Sequence, residues 1–167
     1  TMTAFQGFAD MEYPMMVNDS PQKDPKFAQF VQDHEIAHTW FPFYMGINES
    51  RFAYMDEGWA TTFERLINTA ENGAATADRF YQQFRVSRWI NDRNAAQDLP
   101  IITPSSELRG GYGNNAYGKP ATALNILRET VMGRELFDFA FKTYATRWAY
   151  KSPQPADFFR TMEDASA

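Results

Sequence analysis

Cysteine is absent from the 167 residues and histidine occurs only twice. No disulfide can brace the fold and no thiolate can hold a metal, so a metal site here must be built from imidazole and carboxylate. The absence leaves the redox compartment open. Positive charge is also in deficit, with 16 Lys and Arg against 21 Asp and Glu and a net charge of −5. The cations are scattered, which gives no basic stripe for nucleic acid and no polybasic patch for anionic lipid. No nucleic-acid partner is expected. No apolar run approaches the roughly 18 residues of a membrane span, and no charged-then-apolar leader opens the chain. Internal repeats and low-complexity tracts are missing as well. The sequence starts at Thr1 and stops at Ala167 inside an apparent helix, so it reads as an excised piece, and a leader could have been removed or could lie upstream of it.

Both histidines fall in one motif, His34-Glu35-Ile36-Ala37-His38. Residues four apart on a helix project from one face a turn apart, so both imidazoles can reach a single ion while the glutamate beside the first faces the open coordination position. A third ligand is needed. After eighteen intervening residues Glu57 follows in Met55-Asp56-Glu57-Gly58-Trp59-Ala60. A carboxylate returning on a second helix would complete a His/His/Glu set and leave the fourth tetrahedral position for water, the pattern of catalytic zinc. The competing account of Glu57 is a favourable charge in a helix first turn. The ligand set suits one zinc ion per chain, although cobalt or manganese could fill it in a preparation.

Around the motif the chain reads as one short strand region followed by six helices. Residues 1–18 carry Phe, Met, Tyr and Val around Gly7 and Pro14 without a 3.6-residue period, which suits extended structure, with Met15-Met16-Val17 as a short edge strand. Asp24-Pro25 has the order of an N-cap and a first-turn proline, and Phe27, Phe30, Val31, His34, His38 and Phe41 continue one apolar stripe that Pro42 ends. Phe43 to Tyr54 reads as a loop turning the chain back. Asp56 is placed to cap a second helix with Glu57, Ala60, Phe63, Glu64 and Ile67 inward and Gly73 at its end. A third helix covers about Thr76 to Asn91, with Phe80, Phe84 and Trp89-Ile90 apolar. Arg109 to Asn115 is rich in turn formers and reads as a loop whose glycines let backbone approach a cleft. It lacks the lysine and spacing of a phosphate-binding loop. Further helices start near Lys119-Pro120 and close at Gly133, run from Glu135 to Trp148 with Leu136, Phe137, Phe141 and Tyr144 inward, and begin again near Ala156 with Phe158-Phe159 and Met162. Trp40, Phe41 and Trp59 are expected in the core.

His34-Glu35-Ile36-Ala37-His38-Thr39-Trp40-Phe41, then Asp56-Glu57-Gly58-Trp59-Ala60 with Glu64 seven residues after Glu57, resembles the catalytic core of the M1 zinc aminopeptidases, gluzincins with a thermolysin-like domain. Ala9-Asp10-Met11-Glu12-Tyr13-Pro14 is similar to that family's exopeptidase motif Gly-x-Met-Glu-Asn, departing from it at Ala9, Asp10 and Tyr13. Tyr117-Gly118-Lys119-Pro120 matches its Tyr-x-Lys segment. The resemblance implies a mainly α fold, the helical part of a thermolysin-like zincin domain with a short β edge at the N-terminus. It implies one partial catalytic domain over residues 1–167, with the strand and exopeptidase motif in 1–20 and the helical zinc-binding part in 24–167.

The resemblance also implies a role for each matched residue. His34, His38 and Glu57 would bind zinc, and Glu35 would act as general base toward the metal-activated water. Tyr117 would donate to the oxyanion; on composition alone it is one of eight tyrosines and reads as an amphipathic core residue. Glu12 would hold the free α-ammonium of the substrate, although an acidic residue on an edge strand has other uses. Glu64 could accept from a ligating imidazole. Asp56 stands where the family commonly has Asn and could do the same, or only cap the helix. The implied activity is removal of single residues from peptides with a free amino terminus. A thermolysin-type zinc endopeptidase shares the ligands and base without needing Glu12, and a non-catalytic peptide-binding piece is the third reading. The family's preceding strands, which form the other cleft wall, would belong to the missing domains of the parent protein.

Overall fold

Strands form first where the 3.6-residue period is missing. The computed structural model describes residues 2–92 and 98–167. Strands β1 (Thr3–Gln6), β2 (Met11–Tyr13) and β3 (Met16–Asp19) make a sheet in the order β1-β3-β2, with β3 parallel to β1 and antiparallel to β2. The expected edge strand at Met15–Val17 is therefore corrected. Met15, at φ 63°, belongs to the turn between β2 and β3, and Val17 sits in the middle strand, buried at 1% exposure. The edges are β1 and β2, and in β2 Met11 and Tyr13 face outward and Glu12 faces inward. Glu12 pairs with Val17 across the ladder, so the two share one face of the sheet.

Helix α1 (Pro25–Ala37) starts as its sequence dictates: Asp24 accepts from the Lys26 amide at 3.0 Å, and Pro25 occupies the first turn. It stops at Ala37, short of the expected end at Pro42. The residue before a proline avoids helical ψ, and the chain unwinds early: the Thr39 and Trp40 amides bond back to Ile36 and Ala37 in tighter turns. That unwinding leaves the Phe41 carbonyl free to accept from His38 Nδ1. The expected loop over 43–54 contains a short helix α2 (Glu49–Phe52) and a 3₁₀ turn (Ala53–Met55). Helix α3 (Glu57–Asn72) then packs antiparallel along α1 and ends at Gly73 with φ 81°.

Two later helices contain widened turns. Helix α4 (Ala74–Tyr81) runs through a π segment (Gln82–Val86) into α5 (Ser87–Ile90). A second π segment (Asn114–Gly118) leads into α6 (Lys119–Ile126), and a third (Leu127–Val131) follows it. The expected loop over 109–115 is thus corrected: Gly111, at φ 68°, makes the turn and helical structure begins at Tyr112. Proline has no N–H and its ring crowds the carbonyl four residues back. Pro120 sits just inside α6 without breaking it because the turn before it is already widened, with the Lys119 amide bonding Asn114.

Helices α7 (Arg134–Arg147) and α8 (Pro155–Ser166) close an aromatic core in which Trp59, Phe141, Tyr144 and Phe158 meet edge-on or tilted. Phe41 and Trp59 are buried as expected. Trp40, Ile90, Leu136 and Phe159 are exposed instead, at 47%, 63%, 38% and 51%. Trp40, Leu136 and Phe159 each neighbour in sequence a residue that took the inward position, Phe41, Phe137 and Phe158. The described residues contain no helix long and apolar enough to cross a membrane.

Candidate active site

The facing ends of α1 and α3 bring His34, His38 and Glu57 together. His34 Nε2 lies 3.1 Å from His38 Nε2 and 3.0 Å from Glu57 Oε2, and His38 Nε2 is 3.3 Å from the same oxygen. Ligand atoms about 2.0–2.2 Å from a tetrahedral zinc stand roughly 3.3–3.6 Å apart, so this triangle is a slightly closed form of three zinc positions.

What lies behind the imidazoles decides which atoms face the triangle. His38 Nδ1 is 2.7 Å from both the Phe41 carbonyl and Asp56 Oδ1, and a carbonyl only accepts, so Nδ1 carries the proton. His34 Nδ1 is 2.8 Å from Glu64 Oε2, whose side chain is fully buried. His38 Nδ1 is thus committed as a donor, and His34 Nδ1 faces the Glu64 carboxylate at ion-pair distance. The two Nε2 atoms turn toward each other and toward the Glu57 oxygen, where a bound cation would take the place of the protons they otherwise share with that carboxylate. Asp56 makes no side-chain cap on α3. Of the two uses open to it, the bond to His38 prevails.

Charge in the cleft follows the same contacts. Burial would lower both imidazoles, but hydrogen bonds to Glu57 and Glu64 lift His34 to about 9, and those to Asp56 and Glu57 lift His38 to about 11. Burial would raise Glu57, yet the two histidines hold its carboxyl well below the usual range. Burial pushes Glu35 up to about 7 against the pull of His34 and His38, near where a general base works best. Burial, then the charge of Glu57, drives the Tyr117 phenol far above its ordinary value, so it stays a donor.

The sequence-designated residues all meet here. A cleft of about 660 Å³ is lined by Glu12, His34, Glu35, His38, Glu57 and Tyr117, among others. One ligand atom each of Glu12, Glu35 and His38 lies within 4.8 Å of the other two. Glu12, at 7% exposure, faces His38 Nδ1 at 3.9 Å. The Tyr117 ring stacks on His34 with centroids 5.8 Å apart. Glu64 stands behind His34, on the side away from the triangle.

Arg85 escaped the sequence reading. It binds both oxygens of Glu64, at 2.8 and 2.7 Å, and its guanidinium lies 5.3 Å from the Tyr117 ring centre. The only trace in the sequence is a cation beside Phe84 and Val86 on a helix, and its partner Glu64 is 21 residues away. Two glycines make the approach of these elements possible. A Cβ on Gly58 would meet Pro120 Cγ at 2.7 Å, and one on Gly118 would overlap the Arg85 carbonyl oxygen.

The peptidase family M1 domain model matches residues 8–167. Among curated relatives, glutamyl aminopeptidase of Sus scrofa is 23% identical over 152 residues, covering 89% of this chain and 16% of that protein. Leucine aminopeptidase 2 of Candida albicans is 24% identical, covering 93% and 28%. The chain thus spans less than a third of each. Among solved structures, a mutant M1 zinc metallopeptidase from Deinococcus radiodurans superposes with a TM-score of 0.71 at 18% identity, covering 98% of this chain and 36% of that one. Native yeast LTA4 hydrolase gives 0.70 at 21% identity, covering 93% and 26%. These neighbours share the mainly helical fold with its small N-terminal sheet. With a family match across nearly its whole length, the chain belongs to peptidase family M1.

Proposed function

We propose that the chain is the zinc-binding part of an aminopeptidase, a partial catalytic domain in which residues 1–20 carry the amino-terminus contact and residues 24–167 the metal site. The observation that carries this reading is the convergence of His34 Nε2, His38 Nε2 and Glu57 Oε2, with both Nδ1 atoms turned away toward the carboxylates of Glu64 and Asp56. These three residues would hold zinc, the metal named for the Deinococcus neighbour. A bound zinc supplies a water acidified toward a pKa of about 7 and a Lewis acid for the scissile carbonyl.

The protein's own groups do the remainder. Glu35, buried and raised to about 7, accepts the proton of the attacking water and delivers it to the departing amine. Tyr117 donates its hydroxyl hydrogen to the carbonyl oxygen as that oxygen gains charge, a stabilisation worth about 3 kcal/mol. Glu12 receives the substrate's α-ammonium. Its burial on the inward face of β2 supports an aminopeptidase over an endopeptidase, which has no cation to place there.

Elemental analysis of the protein beside its Glu57→Ala variant tests the reading. One equivalent of zinc per chain, lost in the variant, is expected. Zinc absent from both, in chelator-free preparation, would overturn it.

A further inference from the structure

Four side chains behind the metal triangle form a closed ring. Glu64 receives Arg85 Nε on one oxygen and Nη2 on the other, and the second oxygen also faces His34 Nδ1 at 2.8 Å. His34 stacks on Tyr117, and the Tyr117 ring returns to the Arg85 guanidinium. The backbone repeats the closure. Arg85 lies in the π segment 82–86 and Tyr117 in the π segment 114–118, and the Arg85 carbonyl rests against the bare Cα of Gly118.

We propose that Arg85 is a positioning residue that sets the angle of the His34 imidazole through Glu64 and the place of the Tyr117 phenol through direct ring contact. The proposal rests on the zinc aminopeptidase reading and deepens it. A carboxylate bound at one oxygen can rotate about its Cγ–Cδ bond, and its hydrogen bond to an imidazole wanders with it. Arg85 closes both oxygens with a planar fork, which a lysine cannot reproduce. The Glu64 side chain is fully buried, so no water competes for it. A guanidinium over a phenol ring is attracted by the ring face, which holds the Tyr117 ring against Arg85 as well as against His34. One cation thereby ties the orientation of a metal ligand to the orientation of the oxyanion donor.

The account differs from simple neutralisation of a buried glutamate, and Arg85→Lys separates the two because it keeps the charge and loses the fork. In the intact polypeptide, zinc affinity is read by competition with a chromogenic chelator, and kcat and KM are read on an aminoacyl p-nitroanilide at saturating zinc. Arg85→Lys should bind zinc 10–100-fold more weakly, the usual effect of disturbing a ligand's outer partner. Its kcat should fall at least tenfold with KM within threefold. Zinc affinity and kcat both within twofold of the parent would overturn the proposal.

If Arg85→Lys does not fold, Glu64→Gln with Arg85→Met removes both buried charges. It should bind zinc as Glu64→Gln alone does, yet turn over more slowly because Tyr117 has lost its brace; equal turnover would overturn the proposal. A parent that binds no zinc overturns the functional reading together with this one. An active parent matched by Arg85→Lys overturns this one alone.

Discussion

Gly118 passes beneath Arg85 so closely that any β-carbon would overlap the Arg85 carbonyl oxygen. Both residues lie in widened turns, and the contact brings the Tyr117 and Arg85 segments together. Gly118→Ala is therefore expected to push the segments apart, at a cost of about 1–3 kcal/mol, because backbone rather than a flexible side chain must give. Denaturant melts should show the loss, and zinc-saturated kcat should fall with it. An alanine variant with unchanged midpoint and rate would refute the close approach.

Tyr117→Phe removes one hydroxyl and leaves the ring stacked on His34. Zinc content and melting temperature should stay at parent values. Turnover should drop about 10²–10³-fold, the cost of one oxyanion donor, with KM little changed. If KM rises while kcat holds, Tyr117 binds ground-state substrate and is no oxyanion donor.

Glu12→Gln keeps the shape of an inward residue on β2 and removes its charge. Hydrolysis of peptides with a free amino terminus should fall by two orders of magnitude or so, since a buried ammonium would lose its counter-charge, worth roughly 3 kcal/mol or more. Peptides with acetylated termini should be poor substrates of both proteins. Retained cleavage of acetylated peptides would favour an endopeptidase.

Metal removal should change how stability depends on pH. His34 and His38, raised to about 9 and about 11, contribute stability that is fully present below their unfolded value of about 6.5 and lost as pH rises through 9–11. Glu35 and Asp56, raised to about 7, act in the same direction, losing stability between about pH 4 and 7. Glu57, held low, acts oppositely: its contribution is present above about 4.3 and is lost as pH falls. The metal-free protein should therefore have its highest Tm in weak acid and decline toward pH 10. Zinc held as proposed would take the place of the imidazole protons, so its affinity should rise with pH and the loaded protein should hold its Tm between about 7 and 9. Thermal melts with and without chelator across this range check both; a metal-free Tm that climbs from pH 6 to 9 would contradict them.

The three residues proposed to hold zinc were legible in the sequence because they obey local rules. His34 and His38 sit one helical turn apart, Asp24-Pro25 starts their helix, and Glu57 stands at the head of the next one. Six long helices could be read for the same reason. Arg85 was not legible, since its role arises from packing between elements far apart in sequence. The helical start at Tyr112 was hidden by the glycines of 110–113, which read as loop formers although Gly111 alone makes the turn. Val17 was misplaced at an edge because strand order depends on non-local pairing that a three-residue pattern does not encode. Asp56 could be read two ways, and only the nearness of His38 Nδ1 decided between them.

The widened turn at 114–118 makes the number of residues in this helix as consequential as their identity. A π turn carries one residue more than the α-helical count, and each residue of an α-helix adds about 100° of rotation. Deleting a single position there would reduce the wide turn to an ordinary α turn, shifting the side chains within it against the flanking helix and leaving Pro120 in an unbroken α-helical run that its ring crowds. Tyr117 would no longer stand over His34. Side chains along this helix can be exchanged within the limits of packing, whereas a one-codon loss in it would dismantle the cleft from behind.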